Sequence, residues 1–107
     1  MPIIVVLPIS RRNQHLTQEK LAQLSHRSQQ LIGKLEQGKA KGIGFDTLSQ
    51  LCDVTGQDIG NILTYVSNDP RKTDEEIYRI SRQLHCSTEE VIPYLPEDLK
   101  RKYRRLF

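Results

Sequence analysis

Two adjacent glutamines, Gln29 and Gln30, open a short amphipathic stretch, QQLIGKLEQ. A glutamine amide carries both a donor and an acceptor, which match the N7 acceptor and the N6 donor of adenine in the major groove. Three lysines follow, Lys34, Lys39 and Lys41, and their ammonium groups suit phosphate oxygens. This order of residue types indicates a surface that contacts base edges and a nucleic-acid backbone. The simpler interpretation is a solvated helix start followed by ordinary surface lysines.

Residues suited to catalysis or metal binding do not form a pattern. Cys52 and Cys86 stand far apart, and neither they nor the three histidines fall at a ligand spacing such as C-x-x-C or H-x-x-x-H. We expect both cysteines to behave as small buried hydrophobes. No paired carboxylates, glycine-rich phosphate loop or nucleophile motif is evident, and 107 residues are few for a roomy cleft. The sequence therefore predicts no enzyme, no metal site and no cofactor.

The positive charge is concentrated in two segments. Between Arg11 and Lys41 there are seven basic residues against two acidic ones, and Leu99 to Phe107 holds five basic residues and no acid. Two such patches around a neutral-to-acidic body suit a polyanionic partner, although basic residues also simply solvate helix faces. The longest apolar run, Ile3 to Leu7, is five residues long, far short of a membrane helix, and resembles no export signal. We therefore expect a cytoplasmic protein without a membrane partner.

The hydrophobic pattern predicts an all-α fold preceded by a short strand. The opening MPIIVVL is β-branched and short, as strands are. Pro8 suits the first turn of a helix, while Thr17 and Ser28 suit the N-caps of two more, the second ending at Gly38. Further helices are predicted over FDTLSQLCDVTG, DIGNILTYV, DEEIYRISRQLH, STEEVIPYL and EDLKRKYRRLF. Ser87 and Glu90 should form a capping box.

The segment SNDP is predicted to form a turn and a domain edge, which divides the chain into domains at residues 1–67 and 68–107. A shift of 29 residues superimposes the pattern of the fourth and fifth helices on the next two, with Gly56 falling on His85. The second hairpin is either a duplicate of the first or an amphipathic hairpin that converged on the same spacing. Either origin predicts a second helical hairpin followed by a basic C-terminal helix.

Two short helices joined by a tight turn, the second capped by Ser28, form a helix-turn-helix. With Ile32 and Leu35 facing inward, the N-terminal end of the second helix projects outward, carrying Ser28, Gln29, Gln30, Gly33 and Lys34. Gln18, at the start of the preceding helix, is expected to point toward a phosphate.

These motifs resemble the Cro/repressor-type helix-turn-helix domain of the XRE family, and the lambdoid phage repressors in particular. The family's LTQ.ELA motif corresponds to Leu16, Thr17, Gln18, Lys20, Leu21 and Ala22, and its I..LE.G motif to Ile32, Leu35, Glu36 and Gly38. The adjacent glutamines of some phage repressors match Gln29 and Gln30. The resemblance covers Leu16 to Tyr65 and implies five packed helices. It also implies an ion pair between Arg11 and Glu36.

The function implied by the resemblance is that of a transcriptional regulator, a homodimer that binds a palindromic operator in double-stranded DNA. The residues assigned to DNA contact are Gln18, Arg27, Ser28, Gln29, Gln30, Leu31, Gly33, Lys34, Lys39 and Lys41. The alternative is a protein-interaction module or antitoxin-like adaptor on a helix-turn-helix scaffold, with a protein partner at the C-terminal extension.

The chain departs from the family pattern in the turn and on the outer face of the second helix. His26 replaces the usual glycine at a left-handed position, at a cost of about 1 kcal/mol. Arg27 stands in an aliphatic slot and should swing outward, toward a phosphate. Leu31 and Gly33 replace polar residues, so Leu31 would meet a thymine methyl group or a protein, and Gly33 would permit close backbone approach. These departures favour the protein-interaction alternative. The first helix is also shortened and preceded by IIVV.

Three segments admit more than one interpretation. The IIVV strand either pairs across a two-fold axis in a dimer, which we favour because a bare edge strand invites aggregation, or packs on its own domain. The four tyrosines are expected to be packing residues rather than base-stacking platforms. The basic tail follows the DNA backbone, binds an acidic partner, or docks on the second hairpin through Leu99, Tyr103 and Leu106, whose spacing favours docking.

Overall fold

A computed structural model describes residues 3–67, 69 and 71–104, without the side chains of residues 102 and 104. The described residues form two short strands, β1 (Ile3–Val5) and β2 (Leu63–Tyr65), and seven α-helices. The helices are α1 (Leu7–Asn13), α2 (Gln18–Ser25), α3 (Gln29–Glu36), α4 (Phe45–Thr55), α5 (Thr73–Gln83), α6 (Thr88–Val91) and α7 (Glu97–Arg104). The chain divides into two compact units, one of Val5–Thr64 and one of Met1–Ile4 with Tyr65–Phe107.

The helix starts lie where the local sequence predicts them. The Thr17 hydroxyl accepts the Lys20 N–H at 3.0 Å, and the Ser28 hydroxyl accepts the Leu31 N–H at 3.1 Å. Each cap satisfies an N–H group that has no partner inside the helix. Ser87 and Glu90 form the predicted capping box at the start of α6.

Five helices end in a left-handed residue. Gly38 and Gly56 have φ values of 71° and 66°, and His15, His26 and His85 have values of 58°, 57° and 55°. After each of them, the next N–H donates to a carbonyl five residues back, as Arg27 does to Ala22 at 3.0 Å and Cys86 to Ser81 at 3.0 Å. This is the hydrogen bond of the Schellman motif, which satisfies carbonyls at the helix end. The left-handed position predicted for His26 is confirmed, and all three histidines of the chain have this role.

The unit of Val5–Thr64 has the predicted helix-turn-helix core. A cluster of buried apolar residues joins its helices: Leu7, Leu21, Ala22, Ile32, Leu35, Leu48, Leu51 and Ile62. The burial of Ile32 and Leu35 orients α3 so that its other face is exposed. The mostly helical fold with a short N-terminal strand is confirmed.

The fifth helix of this unit, predicted over DIGNILTYV, differs in the structure. A 3₁₀ turn at Ile59–Asn61 is followed by strand β2, which pairs with β1 in a two-stranded sheet. The Val6 N–H extends the contact by donating to the Ile62 carbonyl at 2.8 Å. Strand β1 thus offers backbone partners to a segment whose β-branched residues accept either conformation. The IIVV strand therefore pairs with its own chain, as the second interpretation of it proposed.

The second helical hairpin has its own core, which includes Ile77, Ile80, Leu84, Val91 and Leu95. The burial pattern of α4 recurs 29 residues later, since Leu48, Leu51 and Thr55 are buried and so are their counterparts Ile77, Ile80 and Leu84. The left-handed Gly56 likewise recurs as His85. The correspondence continues through the N-caps Asp58 and Ser87 and the buried pair Ile62 and Val91. It ends at the next position, because Leu63 lies in a strand and its counterpart Ile92 lies in a 3₁₀ turn.

Helix α7 packs within the second unit as predicted. Leu99 and Tyr103 are buried, and the Tyr103 hydroxyl donates a hydrogen bond to the Asp74 carboxylate on α5. Leu106, the third residue of the predicted docking face, lies outside the described residues. The prediction that all four tyrosines are packing residues is wrong for two of them, because Tyr65 is 60% exposed and Tyr78 is 56% exposed.

Candidate nucleic-acid interface

The exposed face of α3 carries the two glutamines. Gln29, Gln30 and Lys34 are exposed, while Ile32 and Leu35 on the opposite face are buried. Ser28 is exposed and uses its hydroxyl oxygen to cap the helix. The first turn of α3 therefore presents two solvent-exposed amide side chains. They lie beside the N-terminus of the helix, where the helix dipole favours a negatively charged partner.

Gly33 lies one turn further along the same helix and is partly exposed. A Cβ atom at this position would meet nothing within 4 Å. Packing inside the chain therefore does not require a glycine here, although glycine costs about 1 kcal/mol relative to alanine in a helix. The space beside Gly33 is open to solvent.

Glu36, at the end of α3, is at the centre of a buried polar network. Arg11 binds it with two parallel hydrogen bonds, Nε to Oε2 at 2.6 Å and Nη2 to Oε1 at 3.0 Å, which confirms the expected ion pair. The Arg11 Nη1 also donates to the Leu16 carbonyl at 2.8 Å. Two donors on one guanidinium fit a carboxylate with fixed geometry. The network joins α1 and the start of α2 to the end of α3, and so fixes the orientation of α3.

Gln18 belongs to this network. Its amide Nε2 donates to Glu36 Oε1 at 2.8 Å, whereas the sequence predicted that it points outward to a phosphate. The carboxylate is the stronger acceptor at this distance, because a hydrogen bond to a charged group is roughly twice as strong as a neutral one. Gln18 therefore stabilises the position of α3 from within the domain.

Arg27 and Leu31 also differ from their predicted orientations. Arg27 is partly buried, and its Nε donates to Gln50 Oε1 of α4 at 2.8 Å instead of swinging free of the domain. Leu31 is partly buried and packs against the core cluster. Arg27 thus links the turn to α4, and Leu31 adds to the packing of α3 on the core. The sequence contains no signal for Gln50 as the partner, since the pair spans 23 positions.

The loop after α3 supplies the remaining cations. Lys39 and Lys41 are exposed, as is Lys34 at the last turn of the helix. Between Lys20 and Phe45 the one acidic residue is Glu36, and its charge is neutralised by Arg11. The outer face of α3 and its following loop is therefore positively charged, as a surface that meets phosphates must be.

The family model for the Cro/C1-type helix-turn-helix DNA-binding domain matches residues 9–69, more than half of the chain. This chain belongs to the Cro/C1-type helix-turn-helix family. The match begins within α1 and includes α2 to α4, the 3₁₀ turn and β2, so the helix-turn-helix unit except its first residues lies inside it. Searches of curated proteins and of solved structures found no match.

Membership of the Cro/C1-type family makes DNA the partner of this domain and associates it with transcription regulation. Within the described part of the chain, no cluster of three or more potential metal-ligating side chains occurs. Nor does any helix there have the length and apolar character needed to cross a membrane.

One surface of this Cro/C1-type domain was not anticipated from the sequence. Phe45 shares helical spacing with the buried Leu48, yet it is 85% exposed, and Ile59 is 55% exposed. Together with Leu48 and Cys52, and with the polar residues Ser49, Asp53, Gln57 and Asp58, they line an open cavity of about 490 Å³. We call Phe45, Leu48, Cys52 and Ile59 the α4 face. The pattern of apolar spacing gave no means to distinguish Phe45 from a core residue.

Proposed function

We propose that this protein is a sequence-specific regulator that binds double-stranded DNA by placing α3 in the major groove. The observation that carries the proposal is the pair of exposed amides, Gln29 and Gln30, at the N-terminal end of α3. A helix-turn-helix inserts this end of its second helix among the base edges. Each amide can pair with the N6 and N7 groups of an adenine. The protein acts in the compartment that holds the DNA, which for a cell without a nucleus is the cytoplasm.

The residues around the amides are assigned to positioning. Lys34, Lys39 and Lys41 contact phosphates, and Ser28 does so through its hydroxyl hydrogen. Gly33 allows the backbone of α3 to approach the DNA closely, and the exposed part of Leu31 meets a thymine methyl group. Gln18 and Arg27, which are bonded to Glu36 and Gln50, support binding by holding α2, α3 and α4 in register.

We propose further that the protein is a homodimer on a palindromic operator and that the α4 face forms the dimer contact. A two-fold symmetric interface uses the same surface on both copies, so a projection on that surface must meet a recess on the same surface of the partner. The α4 face has both, since Phe45 projects beside a cavity that Leu48, Cys52 and Ile59 help to line. A large apolar side chain exposed to this extent, beside a recess that apolar and polar residues line together, is characteristic of an interaction site.

The alternative, a protein-interaction module without DNA binding, rested on Arg27, Leu31 and Gly33. Arg27 and Leu31 make contacts within the domain instead. The remaining residue, Gly33, is equally suited to close approach of DNA. The balance of features therefore favours DNA as the partner of α3.

The test is selection of bound sequences from a pool of random duplexes, followed by sequencing. We expect a palindromic motif with half-sites about one helical turn apart. The Gln29→Ala/Gln30→Ala variant should lose the preference, by on the order of 30-fold or more in relative affinity, since each bidentate amide contributes at least about 1 kcal/mol. The matched control is Gln14→Ala/Gln23→Ala, which removes two exposed amides elsewhere and should retain the motif. Enrichment of no sequence, or an unchanged motif in the first variant, would refute the proposal.

A further inference from the structure

The second unit has an exposed aromatic and cationic surface that the proposed function does not use. Tyr65 on β2 and Tyr78 on α5 are more than half exposed, and Arg79 and Arg82 on α5 are exposed beside them. We call these four residues the tyrosine–arginine surface. Tyrosine and arginine side chains both donate hydrogen bonds to phosphate oxygens.

The two arginines of this surface are held in defined positions. The guanidinium carbon of Arg82 lies 5.6 Å from the centre of the Tyr78 ring, and its Nη1 donates to the Tyr78 hydroxyl at 3.0 Å. Arg79 donates from Nη2 to the Tyr65 carbonyl at 3.2 Å and from Nη1 to Gln83 Oε1 at 3.4 Å. A side chain restrained before binding loses less conformational entropy when it binds. The positive charges are therefore already arranged at the surface.

Two of the three carboxylates in the first turn of α5 are hydrogen-bonded within the second unit. Asp74, Glu75 and Glu76 all lie in the first turn of the helix. Asp74 accepts a hydrogen bond from Tyr103, and Glu76 accepts the Ser67 N–H at 2.6 Å. Glu75 is exposed and, three and four positions before Tyr78 and Arg79, it borders the N-terminal edge of the tyrosine–arginine surface. The middle and the end of the exposed helix face consequently carry positive charge.

We infer that the tyrosine–arginine surface is a second contact with the DNA backbone, made by the C-terminal unit. This inference rests on the proposed function, because the first unit brings the DNA to the chain. Once that unit is bound, the second unit, linked to it covalently, meets the same polyanion at a high effective concentration. A guanidinium pairs with phosphate through two parallel hydrogen bonds, so Arg79 and Arg82 neutralise phosphates, and the tyrosine hydroxyls add neutral donors.

The experiment measures the affinity of the full chain for a labelled non-operator duplex between about 50 and 200 mM salt. The test variant is Arg79→Gln/Arg82→Gln. The matched control is Arg71→Gln/Lys72→Gln, which removes the same charge from two exposed residues of the same unit. Each lost phosphate contact reduces the slope of log K against log salt by about 0.9, so we expect the test variant to lower it by about 1.8. The control should lower it by less than half as much.

Each outcome decides the inference. A slope equal to that of the control would overturn it, and would point to an acidic protein partner for this surface. Loss of sequence preference in the Gln29→Ala/Gln30→Ala protein without a slope change in the arginine variant would leave the proposed function standing and the inference wrong. A wild-type protein that shows no sequence preference, but whose slope still depends on Arg79 and Arg82, would refute the proposed function and support the inference. A wild-type chain that binds no duplex would refute both.

Discussion

Arg11 and Glu36, 25 positions apart, form a bidentate ion pair. Their side chains are largely buried, with exposures of 14% and 4%. The carboxylate also accepts the Gln18 amide, so three helices meet at one charged group. The pair holds the last turn of α3 against α1 and α2. The exposed amides at the other end of α3 depend on that orientation.

Removal of Arg11 should destabilise the domain. Arg11→Met leaves the Glu36 carboxylate buried without its counter-charge, which we expect to cost about 3 kcal/mol of unfolding free energy. Urea unfolding measures the change, and an unchanged slope against urea would show that the compactness of the end states is retained. The double variant Arg11→Met/Glu36→Leu should recover most of the loss, because both charges are then gone. A loss in the double variant equal to or greater than that of the single one would contradict this account.

Glycine at position 26 should stabilise the protein. His26 has a left-handed backbone that glycine adopts without a Cβ clash, so His26→Gly should raise the unfolding free energy by up to about 1 kcal/mol. His26→Val, with a β-branched side chain in the same conformation, should lower it. His15→Gly and His85→Gly are matched variants at the other two left-handed histidines and should change stability in the same direction. A destabilised His26→Gly protein in urea unfolding would argue that the imidazole makes an essential contact.

Alanine at position 33 should separate stability from DNA affinity. The added Cβ meets nothing in the chain, so Gly33→Ala should stabilise α3 by about 1 kcal/mol through helix propensity. In the proposed complex the same methyl group faces the DNA, and we therefore expect weaker operator binding. Thermal unfolding and fluorescence anisotropy measure the two effects. A variant that is more stable and binds as tightly as the wild type would show that the backbone does not approach DNA closely at this point.

The α4 face should control dimerisation. Phe45→Asp places a charge where the proposed interface is apolar and should raise the dimer dissociation constant at least tenfold in sedimentation equilibrium, an effect of about 1.4 kcal/mol. The alkylation rate of Cys52 gives an independent measure of dimerisation, because Cys52 lines the cavity beside Phe45. Alkylation of Cys52 should slow as protein concentration rises, while Cys86, in the other unit, should react at a constant rate.

Both cysteines should react slowly even as monomers. Burial raises the pKa of the Cys52 thiol, and the carboxylates of Asp53 and Asp58 raise it further, while burial and Glu90 raise the pKa of Cys86. The reactive thiolate is thereby less abundant at a given pH. An alkylation rate of Cys52 that does not change with protein concentration would show that the α4 face is not the contact.

The Tyr103 hydrogen bond should make the second unit sensitive to alkali. Burial, together with the hydrogen bond to the Asp74 carboxylate and its negative charge, raises the pKa of Tyr103 well above its usual value. The unfolded chain releases this proton near pH 10 whereas the folded chain retains it, so stability falls as the pH rises above about 10. Tyr103→Phe should be less stable at neutral pH by about 1 kcal/mol and should show a weaker decline above pH 10. Circular dichroism during urea unfolding at several pH values measures both, and an identical decline in the two proteins would remove Tyr103 as its cause.

The sequence determined the features that depend on neighbouring residues. The caps at Thr17, Ser28 and Ser87 and the left-handed position at His26 each involve groups within a few positions, so their hydrogen bonds form wherever the helix forms. Helical spacing likewise fixed which face of α3 is buried, and with it the exposure of Gln29 and Gln30. The Arg11–Glu36 pair was anticipated through the family resemblance.

Tertiary packing decided the features that depend on distant partners. Gln18 turned inward because Glu36, 18 positions away, accepts its amide, and Arg27 turned toward Gln50, 23 positions away. The segment after α4 became a strand because β1 supplied the backbone hydrogen bonds of a sheet. Phe45, Tyr65 and Tyr78 stay exposed because no described element covers them, and apolar character alone does not say which side chains find a partner. A side chain's type and spacing determine what it can bind, but only the arrangement of the helices determines what lies within reach.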